Sequence, residues 1–285
     1  MRKFLDFIVH SSLYVGIVGV SMIFTSLIFF SLPISYNLLL ISFLFPFSVY
    51  NINRKTDIKE DKISHPSRLR FIKNYYKYLK PICIIAWVVS FLLALLANIS
   101  VAGLLLFSTL MMLLYSVKWI PFLKTKKRFK EIFLIKNITV AFTWSIVVTF
   151  LPFLFYEKNI TNYYTVIFVF LFFFLKVLGN TITFDIRDIK GDNASGIQTI
   201  PVRFGIPVTK NILTFINFLS FIILIIPTVF EFLPKASYLI SLVFIYTQFY
   251  INKIGEKDIK FLTDVIADSE YIIIGLLALI SLLVF

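Results

Sequence analysis

The stretch that decides the fold is residues 163–192, YYTVIFVFLFFFLKVLGNTITFDIRDIKGD. Residues 163–181 are mostly apolar, and an apolar run of about 20 residues crosses a ~30 Å hydrocarbon core as a helix. Three aspartates follow directly, Asp185, Asp188 and Asp192, spaced three and four residues apart. The stretch therefore predicts a membrane-spanning helix that leads into an acidic cluster.

The composition extends this interpretation to the whole chain. Of 285 residues, 59% are hydrophobic and only 15% are charged, whereas soluble domains are about half apolar and a quarter charged. A soluble globular protein is therefore excluded, and a polytopic membrane protein is predicted. The single cysteine, Cys83, excludes an internal disulfide framework and a cysteine metal cluster. We expect residues 1–285 to form a single transmembrane domain.

Nine apolar runs predict an all-α bundle of nine transmembrane helices. We expect the first run to be retained, because it is too long for the apolar core of a signal peptide. The predicted spans are Ile8–Phe30, Tyr36–Asn51, Pro81–Asn98, Val101–Trp119, Phe133–Phe155, Tyr163–Thr181, Lys210–Val229, Ser237–Asn252 and Ile266–Phe285.

The distribution of basic residues predicts the orientation. With nine spans, all of the 28 Lys and Arg residues except Lys158 and Lys235 lie on the side of the N-terminus. Cytoplasmic loops collect Lys and Arg, so we expect the N-terminus and both acidic loops in the cytoplasm. The net charge of +13 then reflects this rule and attraction to anionic lipids. Nucleic-acid binding is not expected, because it requires a soluble basic surface.

A second acidic cluster follows the second run on the same side. Asn53, Asp57 and Asp61 are spaced four apart and share a face if the segment is helical. Mg²⁺ prefers carboxylate oxygens, water and substrate phosphates as ligands. Either cluster alone is typical of a solvated loop, but two clusters in equivalent positions favour a magnesium site that binds a diphosphate.

Other polar residues near this end of the bundle have two interpretations each. Lys and Arg bind phosphate oxygens, and the candidates for this role are Arg68, Lys118, Lys136 and Arg187. Asn137 and Asn180 are either pocket residues or helix-packing residues. The run Lys124–Lys130 is interpreted as a solvated loop. Acids favour helix N-termini, so this is the interpretation of Asp264, Asp268 and Glu270.

Together the motifs resemble the UbiA superfamily of intramembrane prenyltransferases. The first motif, N-x-x-x-D-x-x-x-D, is followed by Pro66 and Arg68, and the second, D-x-x-D-x-x-G-D, is followed by Gly196 and the turn Thr199–Pro201. The resemblance implies nine helices around a central cavity, which two Asp-rich loops cap and which opens laterally to lipid.

The same resemblance implies the roles of the site residues. Mg²⁺ and a diphosphate would be bound by Asn53, Asp57, Asp61, Asp185, Asp188 and Asp192. Among these, Asp57, Asp61, Asp188 and Asp192 would be the catalytic set. Further substrate-binding residues would be Arg68, Lys118, Lys136, Asn137, Asn180 and Arg187.

The expected function is transfer of an isoprenyl group from an allylic diphosphate to a lipophilic or aromatic acceptor, as in quinone or lipid biosynthesis. A terpene cyclase that uses the same diphosphate site is the alternative. A transporter is disfavoured, because the acids gather at one face rather than at the midplane. The expected partners are the donor, the acceptor and membrane lipids, and the sequence indicates no protein partner.

Overall fold

The computed structural model describes residues 7–53, 66–116, 128–157, 162–255 and 259–285, and the regular elements within these ranges are all helical. We number ten helices in chain order. They are α1 (Leu13–Phe29), α2 (Tyr36–Asn53), α3 (Pro66–Ala97), α4 (Ile99–Ser116), α5 (Ile135–Tyr156), α6 (Tyr163–Ala194), α7 (Ile200–Val229), α8 (Ala236–Ser241), α9 (Val243–Lys253) and α10 (Ile259–Val284).

The helices form a closed ring around a central cavity. From α1 to α8 each helix packs against the next one along the chain, as short connections favour, and α10 packs against both α9 and α1. Helices α1 and α5 also touch, and Ser26 Oγ donates a hydrogen bond of 2.7 Å to the carbonyl oxygen of Val148. This arrangement places side chains from most of the helices on one shared interior.

Small residues allow α1 to approach both of its neighbours closely. A Cβ atom on Gly19 would lie 2.3 Å from the carbonyl oxygen of Ser42 in α2, and one on Gly275 in α10 would lie 2.9 Å from the Cβ atom of Ser21. Small residues at such contacts are typical of membrane helices, which associate by close packing rather than by exclusion of water.

Helix α6 is longer than the span predicted for it. The Asn162 side chain caps its N-terminus by accepting hydrogen bonds from the backbone N–H groups of Tyr164 and Thr165. The helix then runs without interruption to Ala194. The second aspartate cluster, expected in a loop, is therefore the last three turns of a helix.

Two irregularities shape the other helices near this cluster. Gly205 interrupts α7 with φ 76° and ψ 169°, a conformation that glycine adopts readily because it has no Cβ. The residues before it, from Ile200, form an added helical turn ahead of the predicted span. In α10, residues Leu262–Ala267 form a π-helical segment, and such segments are frequent at functional sites.

Six helices are long and apolar enough to cross a membrane: α3 from Lys73 onwards, α4, α5, α6, α7 and α10. Helices α1 and α2 are apolar but shorter, and the predicted eighth span is divided into α8 and α9 at Leu242. The described residues thus show an all-helical protein with six candidate spans. The count of nine spans and the cytoplasmic orientation stay predictions.

Candidate functional site

The interior of the ring holds a cavity of about 420 Å³, within the roughly 300–1,000 Å³ typical of small-molecule sites. Its body is lined by apolar side chains such as Met22, Phe45, Leu105 and Val148. Its charged lining comes from five aspartates and three basic residues: Asp185, Asp188, Asp192, Asp264, Asp268, Lys130, Lys136 and Arg187. The cavity is therefore suited to a ligand with a charged head and an apolar tail.

Lys136 connects α5 to the aspartates of α6. Its Nζ atom lies 2.8 Å from Asp185 Oδ1 and 3.2 Å from Asp192 Oδ2. Asn137 Nδ2 donates a hydrogen bond of 2.8 Å to the other oxygen of Asp185. The Asp185 side chain is only 2% exposed, so its charge depends on these two partners, because a buried carboxylate is costly without them.

Arg187 connects α6 to α10. Its guanidinium donates two hydrogen bonds to Asp188, from Nε at 3.0 Å and from Nη2 at 2.9 Å. Its Nη1 atom forms an ion pair with Asp264. Charge-assisted bidentate pairs of this kind are strong and directional, so the arginine holds a motif aspartate and the last helix in a defined geometry.

Asp268 lies one turn beyond Asp264 on α10. Asn180 Nδ2 of α6 donates a hydrogen bond of 3.2 Å to Asp268 Oδ1. The two aspartates of α10 are thus joined to α6 through Arg187 and Asn180. Besides their position near the start of the last helix, both line the cavity and both contact α6.

Tyr14, Tyr50 and Trp144 form an aromatic part of the cavity lining, which we call the aromatic wall. Trp144 Nε1 donates a hydrogen bond of 2.9 Å to the hydroxyl of Tyr50. The hydroxyl of Tyr14 bonds to the carbonyl oxygen of Val265 at 3.0 Å and to Ser269 Oγ at 2.5 Å. These bonds fix the orientation of ring faces that line the cavity.

The oxygen donors of the cavity fit Mg²⁺ in kind, and the described residues supply part of a binding set. Aspartates outnumber basic side chains on the lining, so the lining favours bound cations. Within the described ranges, however, no three His, Cys, Asp or Glu side chains converge closely enough to hold a metal ion. Lys136 and Arg187 bind the motif aspartates of α6 in this structure.

Seven of the residues predicted for the site line this cavity together: Lys136, Asn137, Asn180, Asp185, Arg187, Asp188 and Asp192. Asp57, Asp61 and Lys118 lie outside the described residues, and so do the side chains of Asn53 and Arg68. The catalytic, substrate-binding and metal-binding roles of both groups stay predictions.

Sequence reasoning missed other residues of the cavity. Lys130 was expected in a solvated loop, but it is 5% exposed and lines the cavity. Asp264, Asp268 and Tyr271 also line it. For Asp264 and Asp268, the sequence did contain one indication of a role in the cavity. Both lie at the end of an apolar run, where an acidic residue is costly.

A second polar cluster is formed by buried side chains of α6, α7, α9 and α10. Lys176 Nζ is 2.7 Å from Glu270 Oε1, with the two side chains 3% and 1% exposed. Glu270 also accepts hydrogen bonds from Thr247 at 2.6 Å and from Tyr250 at 2.7 Å. Glu270 is therefore a buried partner of Lys176, in addition to its position near the start of the last helix.

Known proteins share both the sequence pattern and the fold. The UbiA prenyltransferase family profile matches residues 12–261. A digeranylgeranylglyceryl phosphate synthase from Sulfurisphaera tokodaii is 29% identical over 202 residues, which are 69% of this chain. The match covers 66% of that relative, just under two thirds of its length.

Two solved structures have the same fold at low identity. One is a UbiA homologue from Archaeoglobus fulgidus bound to GPP and Mg²⁺, with 18% identity and a TM-score of 0.69 over 98% of this chain and 99% of that chain. The other is an apo UbiA homologue from Aeropyrum pernix K1, with 13% identity and a TM-score of 0.72 over 94% and 98%. Together with the family match, they confirm the resemblance seen in the motifs: the chain belongs to the UbiA prenyltransferase family.

Proposed function

We propose that the protein transfers an isoprenyl group from an allylic diphosphate to a lipophilic acceptor within the membrane. The family and the similarity to a digeranylgeranylglyceryl phosphate synthase support a prenyltransferase. The structural neighbour that carries GPP and Mg²⁺ supports an allylic diphosphate as the donor and Mg²⁺ as the cofactor.

The observation that carries the proposal is the two-part lining of the cavity. The diphosphate of a donor fits the charged part, where Lys136 and Arg187 donate hydrogen bonds. Its hydrocarbon tail fits the apolar body, where Met22, Leu105 and Val148 are buried. Transfer of apolar surface from water to such walls is favourable, so one cavity binds both parts of the donor.

The charged lining favours departure of the diphosphate. When Mg²⁺ is bound, it neutralises charge on the diphosphate and so makes it a better leaving group. Asn53, Asp57, Asp61, Asp185, Asp188 and Asp192 are the proposed ligands. The positive groups of Lys136 and Arg187 stabilise negative charge that grows on the leaving oxygen, and they are already held in place by their aspartate partners.

The apolar body protects the allylic cation that this departure leaves. The ring faces of Trp144 and Tyr50 line the cavity, and an aromatic face attracts a cation by about 2 kcal/mol or more when the site is dry. Apolar walls keep out water, which would otherwise capture the cation. The acceptor is then the nucleophile that captures it.

The class of acceptor is suggested by the name of the Sulfurisphaera relative. The name of the Sulfurisphaera relative describes a glyceryl phosphate that carries geranylgeranyl chains, and this favours a glyceryl phosphate lipid over an aromatic quinone precursor. A terpene cyclase has the same requirement for diphosphate departure, so the metal motifs do not separate the two reactions.

The test is diphosphate release by the purified protein in lipid nanodiscs. Allylic diphosphates of 10, 15 and 20 carbons are supplied with Mg²⁺ or with EDTA, and with an alkylglyceryl phosphate, a hydroxybenzoate or no acceptor. Organic products are identified by mass spectrometry. The variant Asp192→Asn tests the site, and Glu157→Gln, at an exposed acid outside the cavity, is its matched control.

We expect Mg²⁺-dependent release that requires an acceptor, in the wild type and Glu157→Gln but not in Asp192→Asn. Release without any acceptor that yields a cyclic hydrocarbon or alcohol would replace the transferase with a cyclase. No release from any of the three donors would refute the proposal.

A further inference from the structure

Asp268 differs from the other aspartates of the cavity in its partners. Asp185 and Asp192 contact Lys136, and Asp188 and Asp264 contact Arg187. No Lys or Arg among the residues that the structure describes lies within 4 Å of the Asp268 carboxylate. Among the described residues, the group that donates a hydrogen bond to Asp268 is the uncharged side-chain amide of Asn180, which contacts Oδ1. Its other oxygen, Oδ2, therefore accepts no hydrogen bond from the part of the chain that the structure describes, and a carboxylate oxygen is a hydrogen-bond acceptor that a ligand hydroxyl can use.

Tyr271 lies one turn further along the same face of α10, since residues three apart on a helix are neighbours. It is 3% exposed and lines the cavity. Its hydroxyl is buried and has no hydrogen-bond partner in the described part of the chain. A buried hydroxyl without a partner is unfavourable and calls for an explanation. A polar group of a ligand in the cavity would supply that partner.

The pair lies between the diphosphate end of the cavity and the aromatic wall. Asp268 and Tyr271 are close enough to Tyr50 to interact electrostatically with it, and Tyr50 bonds to Trp144 on the aromatic wall. The pair therefore lies beside the aromatic wall, where the isoprenyl cation is proposed to form. Asp268 is also close enough to Arg187 to interact electrostatically with it, which places the pair next to the diphosphate end.

We propose that Asp268 and Tyr271 form the acceptor site and that the acceptor reacts through a hydroxyl group. This inference rests on the proposed prenyl transfer. The acceptor oxygen forms a bond to C1 of the isoprenyl group, while the bond from C1 to the diphosphate oxygen breaks and its electron pair leaves with the diphosphate. The acceptor proton passes to the Asp268 carboxylate. Tyr271 donates a hydrogen bond to the acceptor, and the product is an ether.

The chemistry explains why a carboxylate is needed at this position. An alcohol that attacks a carbocation becomes strongly acidic, and a base within hydrogen-bond reach removes its proton as the bond forms. General base groups contribute about 10²- to 10⁴-fold to rates. Alkylation of an aromatic carbon instead releases the proton from that carbon, so the product itself identifies the class of acceptor.

The experiment compares Asp268→Asn and Tyr271→Phe with the wild type and with the control Glu157→Gln. The donor is geranylgeranyl diphosphate, and the acceptor probes are an alkylglyceryl phosphate with one free hydroxyl, its fluorinated analogue with a more acidic hydroxyl, and a hydroxybenzoate. Donor affinity is measured by calorimetry with Mg²⁺, and ionisation by exchange of ¹⁸O between bridging and terminal positions of the donor.

We expect Asp268→Asn to bind and ionise the donor within about twofold of the wild type but to form ether at least about 100-fold more slowly. The loss is smaller with the fluorinated alcohol, because a more acidic hydroxyl needs less help from a base; a merely structural defect would affect both alcohols equally. Tyr271→Phe raises the acceptor KM about tenfold, as loss of one hydrogen bond does.

Three results would overturn the inference while leaving prenyl transfer intact. These are ether formation by Asp268→Asn within threefold of the wild type, an equal loss of donor binding and ether formation in that variant, and a wild type that prenylates only the aromatic carbon. A wild type that neither binds nor ionises the donor would instead overturn the proposed function itself.

Discussion

The buried pair of Lys176 and Glu270 permits a prediction about stability with a defined sign and size. Lys176 Nζ has three partners: Glu270 at 2.7 Å, and Asn217 and Thr247 at 3.1 Å. Glu270 accepts from Lys176, Thr247 and Tyr250. The cluster ties α6, α7 and α9 to α10, the helix that carries Asp264 and Asp268.

The cost of each substitution follows from the groups it leaves without partners. Removal of one member of a buried ion pair costs about 3–5 kcal/mol. Lys176→Met leaves Glu270 with two donors, so we expect the free energy of unfolding to fall by about 3 kcal/mol. Glu270→Leu removes the acceptor of three donors and leaves a buried ammonium, so we expect about 5 kcal/mol. The double variant leaves no buried charge, and we expect it to cost less than either single change.

The assay is unfolding in detergent, followed by circular dichroism. In chains of 150–250 residues, 1 kcal/mol corresponds to about 2–4 °C in Tm, so the single variants should lose between roughly 6 and 20 °C. The matched control is Lys235→Met, at an exposed lysine, with an expected change within about 0.5 kcal/mol. A double variant as unstable as the two single costs added together would refute the idea that the pair is coupled.

The other predictions concern the cavity and the helix contacts. Lys136→Met should reduce kcat about 100-fold, the scale of losing one transition-state donor, whereas Lys190→Met, on the exposed side of α6, should not; equal rates would exclude the role given to Lys136. Asp264→Asn should raise the donor KM about tenfold, because Arg187 loses a charged partner; steady-state kinetics with labelled donor measure this, and a change below twofold would contradict it. Gly19→Leu should destabilise the fold by about 1–3 kcal/mol or more, because a Cβ there meets Ser42 at 2.3 Å, whereas Gly103→Leu has nothing within 4 Å and should have no effect on thermal unfolding.

Local sequence patterns predicted the parts of the fold that depend on local chemistry. Long apolar runs must form helices in a membrane, because each backbone polar group needs a partner within its own segment. The helical nature of residues 163–181 followed from this rule, and the spacing of Asp185, Asp188 and Asp192 by three and four residues is the spacing of one helix face. The ends of helices were predicted less well, because α6 continues past its apolar run to Ala194 and charged residues outside the membrane are compatible with either helix or loop.

The candidate site was predicted only where a motif marked it. The aspartates of α6 form a recognisable spacing, and Lys136 and Asn137 lay near the same end of the bundle. Asp264 and Asp268 carry no such spacing, and their position at the end of an apolar run does not by itself distinguish an acid that caps a helix from one that faces a cavity. Lys130 shows the same difficulty, since a lysine in a basic run is usually solvated, and here tertiary contacts bury it.

The sequence by itself determined that the chain enters a membrane, that it is helical, and that two acidic motifs lie at ends of apolar runs, because these properties depend on composition and spacing along the chain. Only the tertiary structure decided which side chains meet. Arg187 on α6 is paired with Asp264, which lies 77 residues later on α10. Glu270, also on α10, is paired with Lys176 on α6. Pairing across helices depends on how the ring closes, with α10 packed against α1, and that closure is set by packing between segments that are distant in the chain.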